Sequence, residues 1–553
     1  MLSAQQRSAL LQQLQTQTFD LVVIGGGITG AGIALDAASR GMQVALLEMQ
    51  DFASGTSSKS TKLIHGGLRY LKQLEINLVR EVGRERAVVH HLAPHLVTAE
   101  KMLLPLIEGG TYGKWATSFG LYVYDLLADV QGTDRRRMLT RAETLAEEPL
   151  LRKDLVVGGG LYAEYRTDDA RLTIEIIKTA ARHGARCLNY SLAEDFLYNN
   201  GKIEGVRCRD LIENQPFEIS AQYVINAAGP WVDQLRQQDK SLHGKRIFHS
   251  KGVHLVLPYE RLPLQHAVYF DVPDGRMIFA IPRQRTTYVG TTDTPYEGSL
   301  DKVLTTKEDV YYILNATNQM FPNVNLTMQD VESSWAGLRP LIFEEGKSAS
   351  EMSRKDEIFE SASGLISIAG GKLTGYRKMA EKVVNRVADK FAKQHGRNFE
   401  PCKTKAIKLG GAPFEHTTEV IAYKDKICQQ IRELGLPDYY TQYLVANYGK
   451  QTDLILNLLN NNYSNDIYAA SNTQEQLLIR AELQFCLDNE LVFKPMDFFN
   501  RRTGRLYFNI QSIEPNLDII LQDFKMYFGW NDSQMQEEKA QVQAAIQEVS
   551  IFS

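Results

Sequence analysis

A chain of 553 residues with 44% hydrophobic and 23% charged side chains can support two or three domains around a large core, and it carries no low-complexity tract. Its formal net charge of -4 excludes a global attraction to nucleic acid or to an anionic membrane, so any such contact would be local. Cys187, Cys208, Cys402, Cys428 and Cys486 form no C-x-x-C pair and no zinc-finger spacing, which argues against a disulfide framework or a structural metal and for a reducing compartment.

The glutamine-rich start, residues 1–19, lacks the charged beginning and apolar run of a secretory signal and reads as a short amphipathic helix. No run of about 18 apolar residues follows, so the chain is expected not to span a bilayer. Residues 19–24, FDLVVI, are apolar without alternation, as in a strand buried on both faces of a parallel sheet. Gly25, Gly27 and Gly30 then form G-x-G-x-x-G, a helix is predicted over 29–40, and a second apolar strand, QVALLE, ends on Glu48. The first glycine permits a tight turn, the second the approach of backbone to a pyrophosphate, and the third the packing of helix on strand; Glu48 is placed to accept hydrogen bonds from a ribose. NAD and FAD satisfy this pattern equally.

Residues 51–71, DFASGTSSKSTKLIHGGLRYL, crowd Ser and Thr with Lys59 and Lys62 before His65, Gly66, Gly67, Arg69 and Tyr70. Hydroxyl and backbone N–H donors in such a loop suit a long polar cofactor, although a solvated turn has the same composition. The apolar surroundings of His65, Arg69 and Tyr70 favour the first reading, because polar heads there need partners.

Together with NAAGPWVDQL, GTTDT, GLRPL and AGGKLTGYRKMAE, these motifs resemble the FAD-dependent glycerol-3-phosphate dehydrogenases, in order from about residue 18 to residue 390. The resemblance implies an α/β and α+β fold. A discontinuous glutathione-reductase-like FAD-binding Rossmann domain would use 18–85, 155–235 and 340–395, an antiparallel-sheet substrate domain 86–154 and 236–339, and a helical C-terminal domain 400–553. It also implies FAD contacts from Gly25, Gly27, Gly30, Glu48, Thr56, Ser57, Ser58, Lys62, Leu63, His65, Gly66, Gly67, Ala228, Gly229, Trp231, Gly371, Lys372, Leu373 and Thr374.

Further along, residues 221–235 and 364–391 each repeat strand, glycine turn and helix, and read as returns to the first sheet. The helix after Gly370-Gly371-Lys372 would turn its N–H groups and positive end toward the N1–C2 carbonyl edge of a reduced flavin, or else be an ordinary capped helix. Asp168 or Asp169 is expected to cap a helix bearing Leu172, Ile174, Ile176 and Ile177, and 186–212 reads as sheet around an Asn200-Gly201 turn. Residues 245–296 alternate like antiparallel strands, with His254 and Tyr288 among the inward residues. The stretch 105–130, with Trp115, Phe119, Leu121, Tyr122, Tyr124 and Leu126, suits either interfacial insertion or plain core packing. Beyond residue 400 the pattern is helical without a glycine-rich turn; Arg501 and Arg502 fit either an acidic partner or solvent, and docking or dimerisation stays open.

A phosphorylated substrate demands guanidinium forks and an ammonium group, for which Arg69, Arg339, Arg354 and Lys372 are the candidates. Arg339 stands out in the apolar WAGLRPL, whereas Arg354 is promoted by the resemblance alone. The reaction implied is hydride transfer from C2 of sn-glycerol 3-phosphate to FAD, with His65 or His254 as base. The resemblance sets His65 near the flavin, and His254, Arg339 and Tyr70 toward the substrate. Dehydrogenases of this kind pass electrons to a membrane quinone and the related oxidases to oxygen; an FAD-binding assembly protein without turnover is the remaining alternative. The expected setting is the cytoplasm, with or without peripheral attachment to the inner face of the cell membrane, and with no nucleic-acid partner.

Overall fold

The computed structural model describes residues 2–65, 76–109, 136–343, 356–463 and 472–552. The strands that carry the site are β1 (Thr18–Ile24), β2 (Val44–Leu47), β3 (Val156–Arg166), β4 (Gln215–Asn226), β5 (Ile247–Pro258), β6 (Met277–Arg283), β7 (Thr286–Gly290), β8 (Ser333–Ile342) and β9 (Ile366–Gly370). The helices that flank it are α1 (Ile28–Ser39), α2 (Asp169–Arg182) and α3 (Tyr376–His395).

Continuous apolar runs make the first sheet. Its order is Asp356–Glu360, β9, β4, β1, β2 and Arg186–Leu188, with β9, β4, β1, β2 and Arg186–Leu188 parallel. β1 and β2 are buried on both faces, as their sequences predict. β4 changes character along its length. Its first half alternates exposed and buried residues and pairs antiparallel with Lys202–Asp210; its second half is buried continuously and runs parallel to β1. The Asn200-Gly201 turn takes positive φ at both residues and closes the hairpin beside it. Helix α1 packs between α2 and α3, so closely that a Cβ on Gly32 would come within 2.9 Å of the Tyr376 ring.

The second sheet runs Thr294–Pro295, β5, β7, β6, Ala267–Asp271, Thr98–Ile107, β3 and Leu63–Ile64, with β8 also paired to β5. Pairing is antiparallel except between Ala267–Asp271 and Thr98–Ile107. Alternation sorts its residues: Val253, Leu255, Leu257, Ala280, Val289 and Ala336 form a core behind the sheet, while Val256, Ile281, Tyr288 and Trp335 join the main core in front.

Three boundaries expected from the sequence move. Leu63–Ile64 and β3 belong to the second sheet rather than to the FAD-binding one, because β3 is laddered to Thr98–Ile107 from Thr98↔Arg166 to Ile107↔Val156. The end of β8, Pro340–Ile342, is likewise still paired with β5. Third, the C-terminal helices share the main core: Leu444, Phe485, Phe498 and Phe524 lie in one cluster with Leu35, Ile176 and Val383. Among the described residues no strand follows Gly370. The interfacial segment proposed over 105–130 lies, from residue 110 on, outside the described residues.

Candidate active site

Three turns leave the carboxyl ends of β1, β4 and β9, where open α/β sheets bind ligands. With the front of the second sheet they enclose a cavity of about 810 Å³, toward the upper end of the ordinary range of about 300–1,000 Å³. Its lining includes Gly25, Gly27 and Glu48 from the first turn, Ala228, Gly229 and Trp231 from the second, and Gly371, Lys372 and Leu373 from the third.

The first turn is built on missing side chains. Gly25 has φ +116°, and a Cβ there would lie 2.5 Å from the Ala227 carbonyl oxygen. A Cβ on Gly30 would lie 1.9 Å from the Gly25 carbonyl oxygen, so the third glycine of the motif makes room chiefly for the turn itself and only secondarily for β2. Glu48 is buried, and its two oxygens accept from the N–H groups of Gly26 (2.7 Å) and Gln50 (2.9 Å). Burial pushes its carboxyl up to about 6. An anionic acceptor on the lining beside a bare helix N-terminus fits the ribose and pyrophosphate of a dinucleotide.

The opposite wall uses the same device across strands. His254 on β5 faces Gly290 on β7 and Trp335 on β8. A Cβ on Gly290 would meet the His254 ring at 2.4 Å, and one on Gly252 would meet the Arg339 guanidinium at 2.4 Å. Two absent side chains thus let an imidazole and a guanidinium lie flat over neighbouring strands. His254 is buried and stacks on the Trp335 indole, with centroids 4.9 Å apart at 14°. Its Nε2 is 3.0 Å from Thr61 Oγ1, whereas Nδ1 has no hydrogen-bond partner among the described residues. Burial, with the charges of Arg339 and Lys62 nearby, holds this imidazole well below its ordinary value, so it is neutral at physiological pH. Arg339 donates from Nη1 to the Thr292 carbonyl (3.1 Å) and Asp293 (3.3 Å), and from Nη2 to Thr291 Oγ1 (2.9 Å). Asp293 also accepts from the Ser250 hydroxyl, which fixes the carboxylate that aims the fork.

Other residues singled out from the sequence distribute unevenly. Thr56, Ser57, Leu63 and His65 line the cavity; the Thr56 hydroxyl donates to the Leu338 carbonyl (2.7 Å), and the His65 ring lies edge-on to Phe279 at 6.2 Å. Ser57 Oγ accepts from the Ile28 N–H (2.9 Å), which closes one donor of α1. Lys62 is a correction: its ammonium is buried and donates to Asp169 Oδ1 (2.5 Å) and the Ser58 carbonyl (3.0 Å), away from the lining. The paired acids at the start of α2 explain this, since Asp168 caps the helix through the Arg171 N–H and leaves Asp169 for Lys62 and Ser60. Ser58, Gly30 and Thr374 also stand off the lining; Ser58 and Thr374 spend their hydroxyls on the carbonyls of Gly55 and His65. Tyr288 is fully buried, with its hydroxyl on the Thr61 carbonyl (3.1 Å), so it braces the loop instead of facing the cavity. Helix α3 starts only at Tyr376, after a tight turn over Leu373–Gly375, so the Gly370-Gly371-Lys372 segment approaches the cavity as backbone and not as the helix end. Gly66, Gly67, Arg69, Tyr70 and Arg354 lie outside the described residues.

Sequence reading gave no role to Thr291 and Asp293, which hold Arg339, or to Tyr162, Tyr269, Met277 and Phe279, which line the far end of the cavity. The period-2 alternation of VYFDVPDGRMIFAIP carried the signal, placing Met277 and Phe279 on one face.

The geometry agrees with what the chain is similar to. Residues 20–377 match the family of FAD dependent oxidoreductases, and residues 402–535 match the C-terminal domain of alpha-glycerophosphate oxidase. The aerobic glycerol-3-phosphate dehydrogenase of Bacillus subtilis is 49% identical over 530 residues, covering 96% of this chain and 95% of the relative. That of Staphylococcus haemolyticus is 47% identical over 551 residues, with 99% and 98% covered. A solved structure of the glycerol-3-phosphate dehydrogenase from Bacillus halodurans complexed with FAD superimposes with a TM-score of 0.84 at 43% identity, covering all of both chains. Glycine oxidase from Geobacillus kaustophilus, at 20% identity and a TM-score of 0.52, covers 72% of this chain and all of its own, and shares the fold.

Proposed function

The chain belongs to the aerobic glycerol-3-phosphate dehydrogenase family of FAD-dependent enzymes, and on that premise we propose that it oxidises sn-glycerol 3-phosphate at C2 to dihydroxyacetone phosphate and hands the electrons to a membrane quinone. The observation that carries this reading is the pair Arg339 and His254, laid side by side over glycines and facing the dinucleotide cradle across one cavity.

FAD, when bound, supplies the two-electron acceptor. The cradle fits its adenosine half through Glu48 and the backbone of Gly25–Ile28, and the turns at Ala228–Trp231 and Gly371–Leu373 flank the rest. Arg339 binds the anionic end of the substrate while Asp293 and Thr291 keep its fork in plane, and Lys372 adds an ammonium from the third turn. His254, neutral and with Nε2 engaged by Thr61, receives the C2 hydroxyl proton at Nδ1. The Trp335 indole behind the ring excludes water and fixes its plane. His65 lines the same cavity and is the alternative base.

Anaerobic addition of glycerol 3-phosphate to the purified holoprotein is expected to bleach the flavin absorbance, and a soluble quinone analogue to restore it. No bleaching with glycerol 3-phosphate alongside bleaching with glycine overturns the substrate assignment. Stoichiometric peroxide in air, with no reoxidation by the quinone analogue, would make the enzyme an oxidase, the reading that the match of residues 402–535 to an oxidase domain keeps in play.

A further inference from the structure

The C-terminal helices reach the cofactor end of the molecule through a buried charge cluster that the proposed chemistry does not use. Asp51 follows the ribose-side acid Glu48 by three residues, and its side chain is wholly buried. Its carboxylate is saturated from the C-terminal side: Arg502 donates to both oxygens (2.7 and 2.9 Å) and Arg501 to one (2.5 Å). Asn189 supplies the fourth bond (2.9 Å) and also donates to the Leu491 carbonyl (2.9 Å). These arginines, which the sequence left to solvent or to an outside acid, therefore have an internal partner. Burial pushes the Asp51 carboxyl up, but Arg502 and Arg501 outweigh it and hold it down to about 2.

The cluster continues into the cavity wall. Glu48 accepts from the Gln50 N–H at its side chain and from the Ser191 N–H (2.7 Å) at its backbone carbonyl, and the Tyr190 N–H donates to the Gln50 carbonyl (2.8 Å). Glu48 and Ser191 line the cavity. Asp51 thus anchors, from behind, the two segments that form the adenosine end. Two domains can be held together by apolar contact at less desolvation cost than by a buried multi-arginine cluster, so the placement of the charge calls for a reason other than adhesion.

We propose that Arg502, assisted by Arg501, is a positioning residue for the cofactor: it clamps Asp51 from the C-terminal domain and thereby sets the Glu48–Asp51 segment for the adenosine half of FAD. The inference rests on the functional reading above, with the ribose at Glu48. Removing Arg502 leaves a buried carboxylate short of two donors, and the segment must shift to hydrate it.

Flavin-free protein is titrated with FAD by fluorescence, and with ADP by competition, for the wild type, Arg502→Gln and Arg480→Gln. Arg480 forms a buried pair with Asp523 (2.6 Å) inside the C-terminal helices and controls for general loosening of that domain. Arg502→Gln is expected to raise the FAD Kd and the ADP inhibition constant by the same factor, about tenfold or more, while Arg480→Gln lowers the melting temperature and leaves both within twofold. A lowered melting temperature with unchanged Kd in Arg502→Gln overturns the clamp. So does an equal rise in Arg480→Gln. A rise for FAD but not for ADP overturns the assignment to the adenosine end and leaves the flavoenzyme reading intact, whereas failure of the wild type to bind FAD removes that reading itself. Should Arg502→Gln not fold, Arg501→Gln, at the more exposed edge of the cluster (12% against 0%), is judged by the same criteria.

Discussion

The turn after β1 and the wall formed by β5, β7 and β8 solve one problem at different ranges. Both make room for functional groups by omitting side chains. In the turn, Gly25 and Gly30 relieve each other within a few residues, and the spacing is visible in the sequence. In the wall, Gly252 clears space for Arg339 and Gly290 for His254, pairs that only strand register brings together. A glycine in a strand looks like a weakness until its cross-strand neighbour is known.

Breaking the turn is expected to have the largest effect. Gly30→Ala drives a Cβ to 1.9 Å from the Gly25 carbonyl oxygen, where no flexible group can yield, and the purified variant should lack flavin absorbance. A yellow variant with wild-type melting temperature would mean that the turn tolerates what the geometry forbids. Breaking the wall should separate chemistry from cofactor binding. Gly290→Ala displaces the His254 ring, and kcat should fall by about two orders of magnitude, the lower range for loss of a general base, with the flavin still bound. Unchanged kcat would transfer the role to His65.

Arg339→Ala should then raise KM by about tenfold to a hundredfold, matching a charge-assisted contact of roughly 1.5–3 kcal/mol, with flavin content unaffected. Glu48 tests the turn by pH. Its carboxyl is raised to about 6 in the folded, flavin-free protein against about 4.5 unfolded, so its contribution is fully present below pH 4.5 and lost as pH rises through 6. Relative to Glu48→Gln, the flavin-free wild type should lose about 2 kcal/mol across that window in chemical denaturation. The smallest effect is a displaced limb: because His254 is held well below its ordinary value, kcat/KM should stay level down through pH 6.5 and fall only at lower pH. A half-maximal rate near pH 6.5 would point to a solvated imidazole instead.

Legibility followed the range of the interactions. The strand, turn and helix from residue 18 to 48, the acid that ends it, the Asp168 cap and the Asn200-Gly201 hairpin were all readable, because each depends on neighbours along the chain. Lys62 was misassigned because two acids over a hundred residues away compete for its ammonium, and nothing local reveals them. Arg339 was noticed for its apolar setting, but Thr291 and Asp293, which orient it, became visible only when β8 paired with β5.

By itself the sequence determined that a parallel sheet with a dinucleotide turn would form and which kind of flavoenzyme the chain resembles, since buried-strand runs and glycine spacing act through local sterics and solvent exclusion. Tertiary structure alone decided which cations face the cavity and which are consumed by internal carboxylates. It also decided that the C-terminal helices join the main core and reach Asp51. Those outcomes depend on which distant charges share one desolvated space, where an unpaired ion costs several kcal/mol, and the order of residues does not encode that proximity.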